Sequence, residues 1–393
     1  HRDLHSFPTR RSSDLISIPL IEKITGLMKF IIVILKDVMF MKLRNIIRTL
    51  PWNNKKEKNK DKKKKINKPN KQDPSVFGSI VQKECIDYIT SWRIIILLII
   101  ILLTCLGSLY TSITTINDVT TDNDEAKAIA KDAYLFLKLF TLSDGTLPPF
   151  TTFVSFLGPL LGIALGFDAI NSEQNRGTLT RLMAQPIPRD FLINAKFTAA
   201  LIINAILFLT LGLLVMALGI IITGIPPSVE EVLRILFFLA LCVVYIAFWL
   251  NLGILFSVRF KQAATSALAS IAVWLFFSLF YQMIVNVLAK GILSADSIKT
   301  AADLVDKQGF VLNLMRLSPN YLFTESTTTL LSPSVRSLGP LTMEQTSGAI
   351  AGPLPLGQSL LLVWPQLTGL IAATLICFAI SYILFMRQEI RTN

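Results

Sequence analysis

The chain has 393 residues, 52% of them hydrophobic and 16% charged, with a mean hydropathy of +0.57. That balance excludes an intrinsically disordered chain, and its long apolar runs lack the polar stripes carried by buried helices of a large soluble protein. Four dispersed cysteines, Cys85, Cys105, Cys242 and Cys377, imply neither a disulfide scaffold nor a metal framework, and the net charge of +12 sits almost wholly in one segment.

The first fifteen residues, HRDLHSFPTRRSSDL, lack the basic start and apolar centre of a signal peptide. They resemble translated sequencing-adapter DNA, and Met28, Met39 and Met41 are candidate genuine starts. From Ile16 to Phe40 the chain is apolar in part, but Glu22, Lys23, Lys29, Lys36 and Asp37 interrupt it, which suits at best an interfacial helix. Residues 41–71 carry thirteen Lys or Arg against Glu57 and Asp61, a net of +11. Residues 16–73 are therefore expected to be a basic, largely disordered cytoplasmic segment that orients the chain and attracts anionic membrane lipids. No aromatic residues interleave the lysines, so nucleic acid is not an expected partner.

From Pro74 to Arg93 the chain turns amphipathic, with Val76, Ile80, Val81, Cys85, Ile89 and Trp92 near helical spacing and Lys83, Glu84 and Asp87 elsewhere. This predicts an entry helix in the membrane interface, anchored by Trp92 and Arg93, that turns into the first span.

Crossing the hydrocarbon core takes about 20 mostly apolar residues, and there the backbone must satisfy itself as helix. Six runs qualify: 94–116, 148–170, 195–223, 232–258, 263–289 and 366–386. The expected fold is an all-α integral membrane protein, with a six-span domain over residues 74–393 and an extracytoplasmic segment at 290–359.

Orientation follows the basic residues of the short loops. With the lysine-rich tail cytoplasmic, the acidic loop of Asp118, Asp122, Asp124, Glu125, Asp132 and Asp144 faces outward, and Arg176, Arg181, Arg189 and Lys196 face inward. Glu230 and Glu231 then lie outside, while Arg259, Lys261, Arg387 and Arg391 lie inside. Both termini are expected in the cytoplasm of a bacterial cell, the chain being multi-pass in its plasma membrane.

The loop Phe167 to Lys196 concentrates the polar character. Asp168 ends span two, Glu173 follows, Gly177-Thr178 breaks the run, and Leu179, Leu182 and Met183 resume helical spacing. Pro186 and Pro188 then stop the short helix before Arg189, because proline removes a donor and biases its predecessor away from the helix. Such an element is stiff enough to transmit a push.

The segment 290–359 is rich in Pro, Ser and Thr, and suits packing on the outer face with short interfacial or re-entrant helices. Pro365 suits the first turn of span six. Ionisable groups are nearly absent from the spans, which argues against ion-coupled transport. Asn204, Trp249, Asn251, Tyr281, Gln282 and Asn286 read as interhelical glue rather than substrate contacts. Glu230-Glu231 looks like the paired glutamates of one intramembrane protease family, but the spacing to Arg234 is short by one residue and no span carries a His.

Phe167-Asp168, Ile170, Glu173, Gly177-Thr178-Leu179, Leu182, Gln185-Pro186, Arg189 and Lys196 together resemble the membrane subunits of type-2 ABC exporters. The likeness is to the branch of nitrous-oxide-reductase maturation and gliding-motility permeases. Three further stretches share it: Lys83-Glu84 to Ser91-Trp92-Arg93, Ser318 to Phe323, and Arg387 to Arg391. The resemblance spans about residues 76–391 and implies that the loop is a coupling helix docked on a separate ATP-binding subunit. Asp168 and Glu173 would orient the loop or pair with basic groups there, and Gly177 would allow close backbone approach. The chain carries no Gly-x-x-x-x-Gly-Lys-Ser/Thr phosphate cradle. A transport subunit is therefore expected, not an enzyme, with no cofactor of its own and ATP used by its partner, paired with a second permease copy or paralogue and working by alternating access. A non-transporting scaffold of a membrane complex would share the same loop.

Overall fold

Among the described residues, six helices are long and apolar enough to cross a membrane, one at each of the apolar runs. The computed structural model describes residues 74–122, 134–179, 188–223, 226–293, 301–334 and 353–388. The chain divides into two units, His1–Gln82 and Lys83–Asn393, and every contact below lies within the second. The expectations for residues 1–73, for Asp118 (side chain), Asp122 (side chain), Asp124, Glu125 and Asp132, for Arg181, Leu182, Met183 and Pro186, and for Arg391 fall outside what is described.

Among the described residues there is no strand. In chain order the helices are α1 (Pro74–Thr90), α2 (Trp92–Asp122), α3 (Leu135–Thr141), α4 (Phe150–Gly166) and α5 (Asn171–Asn175). They continue as α6 (Arg189–Thr223), α7 (Val229–Arg259), α8 (Ala263–Leu275) and α9 (Tyr281–Ile292). α10 (Ala301–Met315), α11 (Pro319–Leu331) and α12 (Leu356–Arg387) complete the set. Spans one to six are α2, α4, α6, α7, the α8–α9 pair and α12. A π-helical segment, Phe276–Phe280, joins α8 to α9.

α7 is the axis of the bundle. In it 67% of the most apolar window is buried, against 17% in span five, so α7 is surrounded while span five hangs at the edge. Its tightest neighbour is α4, which meets it through a ladder of glycines at four-residue spacing. A Cβ on Gly162 would stand 2.7 Å from the Ile246 carbonyl oxygen, and one on Gly166 would stand 2.4 Å from that of Leu250. Gly253 of α7 faces the same seam, with Gly166 backbone 3.2 Å from its own would-be Cβ. Small residues let the backbones close up where water supplies no driving force, and packing then holds the pair.

α12 begins at Leu356 behind the N-cap Pro355, so Pro365 lies inside the helix and not in its first turn as the sequence suggested. Leu360 to Trp364 already follow helical spacing ahead of it, and membrane helices tolerate such a proline.

Between spans five and six, the described helices α10 and α11 fold back into the bundle. Tyr281 donates to the Leu314 carbonyl and Ser318 to that of Phe277, which puts the α10–α11 turn beside the middle of span five. From there α11 climbs along α7: Phe323 stacks on Tyr245 at 4.2 Å, and the Leu330 carbonyl reaches Arg234. α11 is thus re-entrant, with its N-terminus deep and its C-terminus near the α7 start. α3, within the acidic loop after span one, buries Phe136, Leu137, Leu139 and Phe140 against the neighbouring spans.

Candidate functional site

One end of the bundle gathers the polar residues of α1, of the loop after α4, and of the starts of α2 and α6. The loop is built first by its own backbone. After Gly166 the helix breaks into turns, and the Ile170 and Asn171 amides both donate to Ser257 Oγ on α7, at 2.9 and 3.2 Å. Ser257 thereby satisfies two amides that the broken helix leaves without carbonyl partners. Asn171 Nδ2 donates to the Phe167 carbonyl, and Asn175 Nδ2 reaches the Lys261 carbonyl in the α7–α8 connection. Gly177 then turns the chain at φ +67°, a left-handed conformation that costs other residues roughly 1–2 kcal/mol. Thr178 bonds back to the Glu173 carbonyl at 3.1 Å, and Leu179 is buried.

Charge fixes the loop to its neighbours. Lys196, near the start of span three, is only 4% exposed and contacts Glu84 at 2.8 Å and Glu173 at 2.9 Å. Lys83 stands over the same carboxylates, 2.9 Å from Glu84, 3.7 Å from Glu173 and 3.2 Å from Asp87. Arg93 pairs with Asp168 and lies over the Phe167 ring at 5.2 Å. Four chain segments therefore meet through ion pairs: α1, the start of α2, the loop, and α6.

Burial and pairing pull against each other here. Burial raises the Glu84 carboxyl, but Lys196 and then Lys83 more than offset it and hold the group below its ordinary value. Burial likewise disfavours the Lys83 ammonium, but its hydrogen bonds to Glu84 and Asp87 and the charges of Glu84 and Glu173 lift it above its ordinary value. A buried ion cluster adds little net stability over an apolar replacement, yet removing one member leaves the others uncompensated. Its physical effect is to fix one geometry of the loop. Beside it opens a cavity of about 650 Å³, bordered by Asp87, Tyr88, Arg93, Asp168, Arg176 and Lys196.

The sequence-predicted loop residues thus divide. Asp168 and Glu173 find cationic partners within the chain, Leu179 is core, and Gly177 has nothing within 4 Å of a would-be Cβ. Asn175, Arg176, Gly177 and Arg189 are the exposed part. Leu182 lies outside the described residues. Glu84 is the residue misread from sequence: it was placed on the polar side of α1, but it is buried. The signal for it was Lys196, an isolated cation at the mouth of an apolar run that needs an anion nearby.

The opposite end holds a second ionic centre that sequence reading missed. Arg234 is fully buried, and all five of its N–H donors are used, on Glu230, the Leu330 and Leu354 carbonyls and Ser359. Glu231 forms a capping box with Ser228 and accepts from the Phe136 amide, so the paired glutamates cap and brace α7. Among the described residues no cluster of His, Cys, Asp and Glu has the make-up of a metal site.

A family model described as ABC-2 family transporter protein matches residues 79–390. The chain is also 30% identical over 165 residues to a protein of Pseudomonas aeruginosa (strain PAO1) named probable ABC transporter permease protein NosY. That match takes in 39% of this chain and 58% of the relative's length.

Proposed function

This chain belongs to the ABC-2 family of transporter proteins, and from that premise we propose that it is the permease subunit of an ATP-driven exporter whose loop after span two docks on a separate ATP-binding subunit. The observation that carries the reading is the bracing of that loop. Ion pairs to α1, α2 and α6 and hydrogen bonds to the α7 end tie it to the entry helix and to three other spans at once, so a displacement at its exposed tip is passed to the bundle rather than absorbed. Asn175, Arg176, Gly177 and Arg189 form the contact surface, and Gly177, bare of neighbours, leaves room for a partner's backbone.

In this mechanism nucleotide binding closes the ATP-binding subunits, the docked loop follows, and the spans shift between two openings. A second permease copy or paralogue completes the bundle, the loop end is cytoplasmic, and cargo leaves the cell. Co-purification with a phosphate-cradle ATPase is the test, using Arg176→Glu with Arg189→Glu, which change exposed groups and spare the ion cluster. Loss of the ATPase with an unchanged permease melting temperature is expected, and retention of both binding and stimulated ATP hydrolysis overturns the docking assignment.

A further inference from the structure

The cavity beside the ion cluster is incomplete on its inner side. Glu173 is 9% exposed, and the two cations that reach it, Lys196 at 2.9 Å and Lys83 at 3.7 Å, both do so at Oε1. Its second oxygen, Oε2, is buried with no hydrogen-bond partner among the described residues, although Glu173 borders the cavity of about 650 Å³. A buried carboxylate oxygen left without a donor is costly, so a donor from outside the chain completes it. At the rim stand two cations with capacity to spare. Arg93, its side chain 60% exposed, gives one nitrogen to Asp168 and has further N–H groups to offer. Arg176 caps α5 three residues after Glu173, is exposed, and has no carboxylate partner among the described residues. Three residues apart on a helix, Glu173 and Arg176 are neighbours on one face, about 5–6 Å between Cβ atoms.

The cavity therefore offers an acceptor inside and guanidinium donors at its mouth. Four carboxylates and four cations border it, a balance that favours neither a net anion nor a net cation. A free phosphate would meet Glu173 as well as the guanidinium groups, and a lone ammonium would leave Arg176 unanswered. A group that carries its own ammonium and its own phosphate, a short link apart, satisfies both. Position selects a lipid as the source. The cavity lies where α1 gives way to span one, beside Trp92, which is 72% exposed and suits headgroup depth. Beginning three residues after Arg93, Ile96, Ile99, Ile100 and Leu103 are exposed at i, i+3, i+4 and i+7, an apolar stripe along α2 on which acyl chains can lie.

We propose that this cavity binds the headgroup of an aminophospholipid, whose primary ammonium donates to Glu173 Oε2 and whose phosphate is held by Arg93 and Arg176. The bound lipid sits between the entry helix and the loop, as a further brace on the loop. The test uses the full chain, stripped of lipid in neutral detergent and titrated with phosphatidylethanolamine, phosphatidylcholine or phosphatidylglycerol of identical acyl chains. Bound lipid is counted by native mass spectrometry. Phosphatidylethanolamine should bind about tenfold tighter than phosphatidylcholine, whose methylated ammonium keeps its charge but loses its N–H donors. Glu173→Gln, which keeps Oε1 as an acceptor and puts a donor at Oε2, should erase that ratio. Arg176→Gln should weaken both lipids alike, by roughly fivefold, and leave the ratio standing. Equal binding of the two zwitterionic lipids overturns the proposal and assigns the orphan oxygen to water. A ratio that survives Glu173→Gln overturns the ammonium site, unchanged affinities in Arg176→Gln overturn the phosphate site, and a preference for phosphatidylglycerol overturns the zwitterionic class. Excess soluble O-phosphoethanolamine should fail to displace the lipid, and displacement overturns the lipid as source. The unmutated chain alone decides between the lipids, so a variant that fails to fold leaves the proposal testable. Binding is read without ATP or an ATPase, so failure of the docking assignment leaves this result readable.

Discussion

Replacing Lys196 by Met removes the buried cation that bridges both buried carboxylates, at 2.8 Å from Glu84 and 2.9 Å from Glu173. Breaking a buried pair by taking away one partner costs about 3–5 kcal/mol, because the remaining charge stays desolvated. Lys83 still lies 2.9 and 3.7 Å from the same two groups, but its side chain is 57% exposed and its attraction is screened. The low end, about 3 kcal/mol, is therefore expected. In detergent, followed by the loss of the monodisperse peak on heating, this should lower the melting temperature by roughly 5 °C or more. Adding Glu84→Gln and Glu173→Gln to Lys196→Met should recover most of the loss, since no buried charge is then left unpaired. A single-variant shift within about 1 °C of the parent refutes the argument. So does a triple variant less stable than the single one.

Gly162→Ala drives a Cβ into α7 backbone and should cost about 1–3 kcal/mol, whereas Gly291→Ala, with nothing within 4 Å, should be neutral or stabilising, both read by melting. Gly177→Ala should lose roughly 1–2 kcal/mol from backbone conformation alone, visible as faster amide exchange in the loop. Arg234→Met should cost about 3–5 kcal/mol, read by melting, while a variant that melts like the parent contradicts the clamp. The Glu84 carboxyl is held below its ordinary value of 4.5, so its contribution is complete above that pH and is lost as pH falls through the lowered value. Lys83, raised above 10.5, contributes fully below that pH and loses its share as pH rises through the folded value. Stability should be flat between these limits, and Glu84→Gln should flatten the acid limb of a melting-against-pH curve.

Spans were legible because hydrocarbon imposes length and apolarity one segment at a time. The Gly158-x-x-x-Gly162-x-x-x-Gly166 ladder was also written in the sequence and went unread, although small residues at that spacing name the closest helix pair. Span boundaries drifted where polar residues extend a helix past the apolar run, as Arg189, Asp190 and Asn194 do for α6, and where Pro365 was read as a helix start although apolar Leu360 to Trp364 precede it in α12. The ion centres were hidden for a different reason. Glu84 pairs with a residue 112 positions away and Arg234 with a carbonyl 96 away, and one-dimensional periodicity carries no record of such partners. Of the loop, the turn at Gly177 was readable from residue type, whereas the internal pairing of Asp168 and Glu173 was not.

Arg234 sets a condition on how the protein is made. Its partners at Leu330, Leu354 and Ser359 lie 96, 120 and 125 residues downstream. At a synthesis rate of roughly 5–20 residues per second, α7 waits on the order of ten seconds before they leave the ribosome. During that interval Glu230, one turn away and 2.9 Å from the guanidinium, is the neutralising group the chain already owns. The local pair therefore acts as a chaperone in miniature, letting a cationic helix end enter the bilayer before its permanent lock arrives.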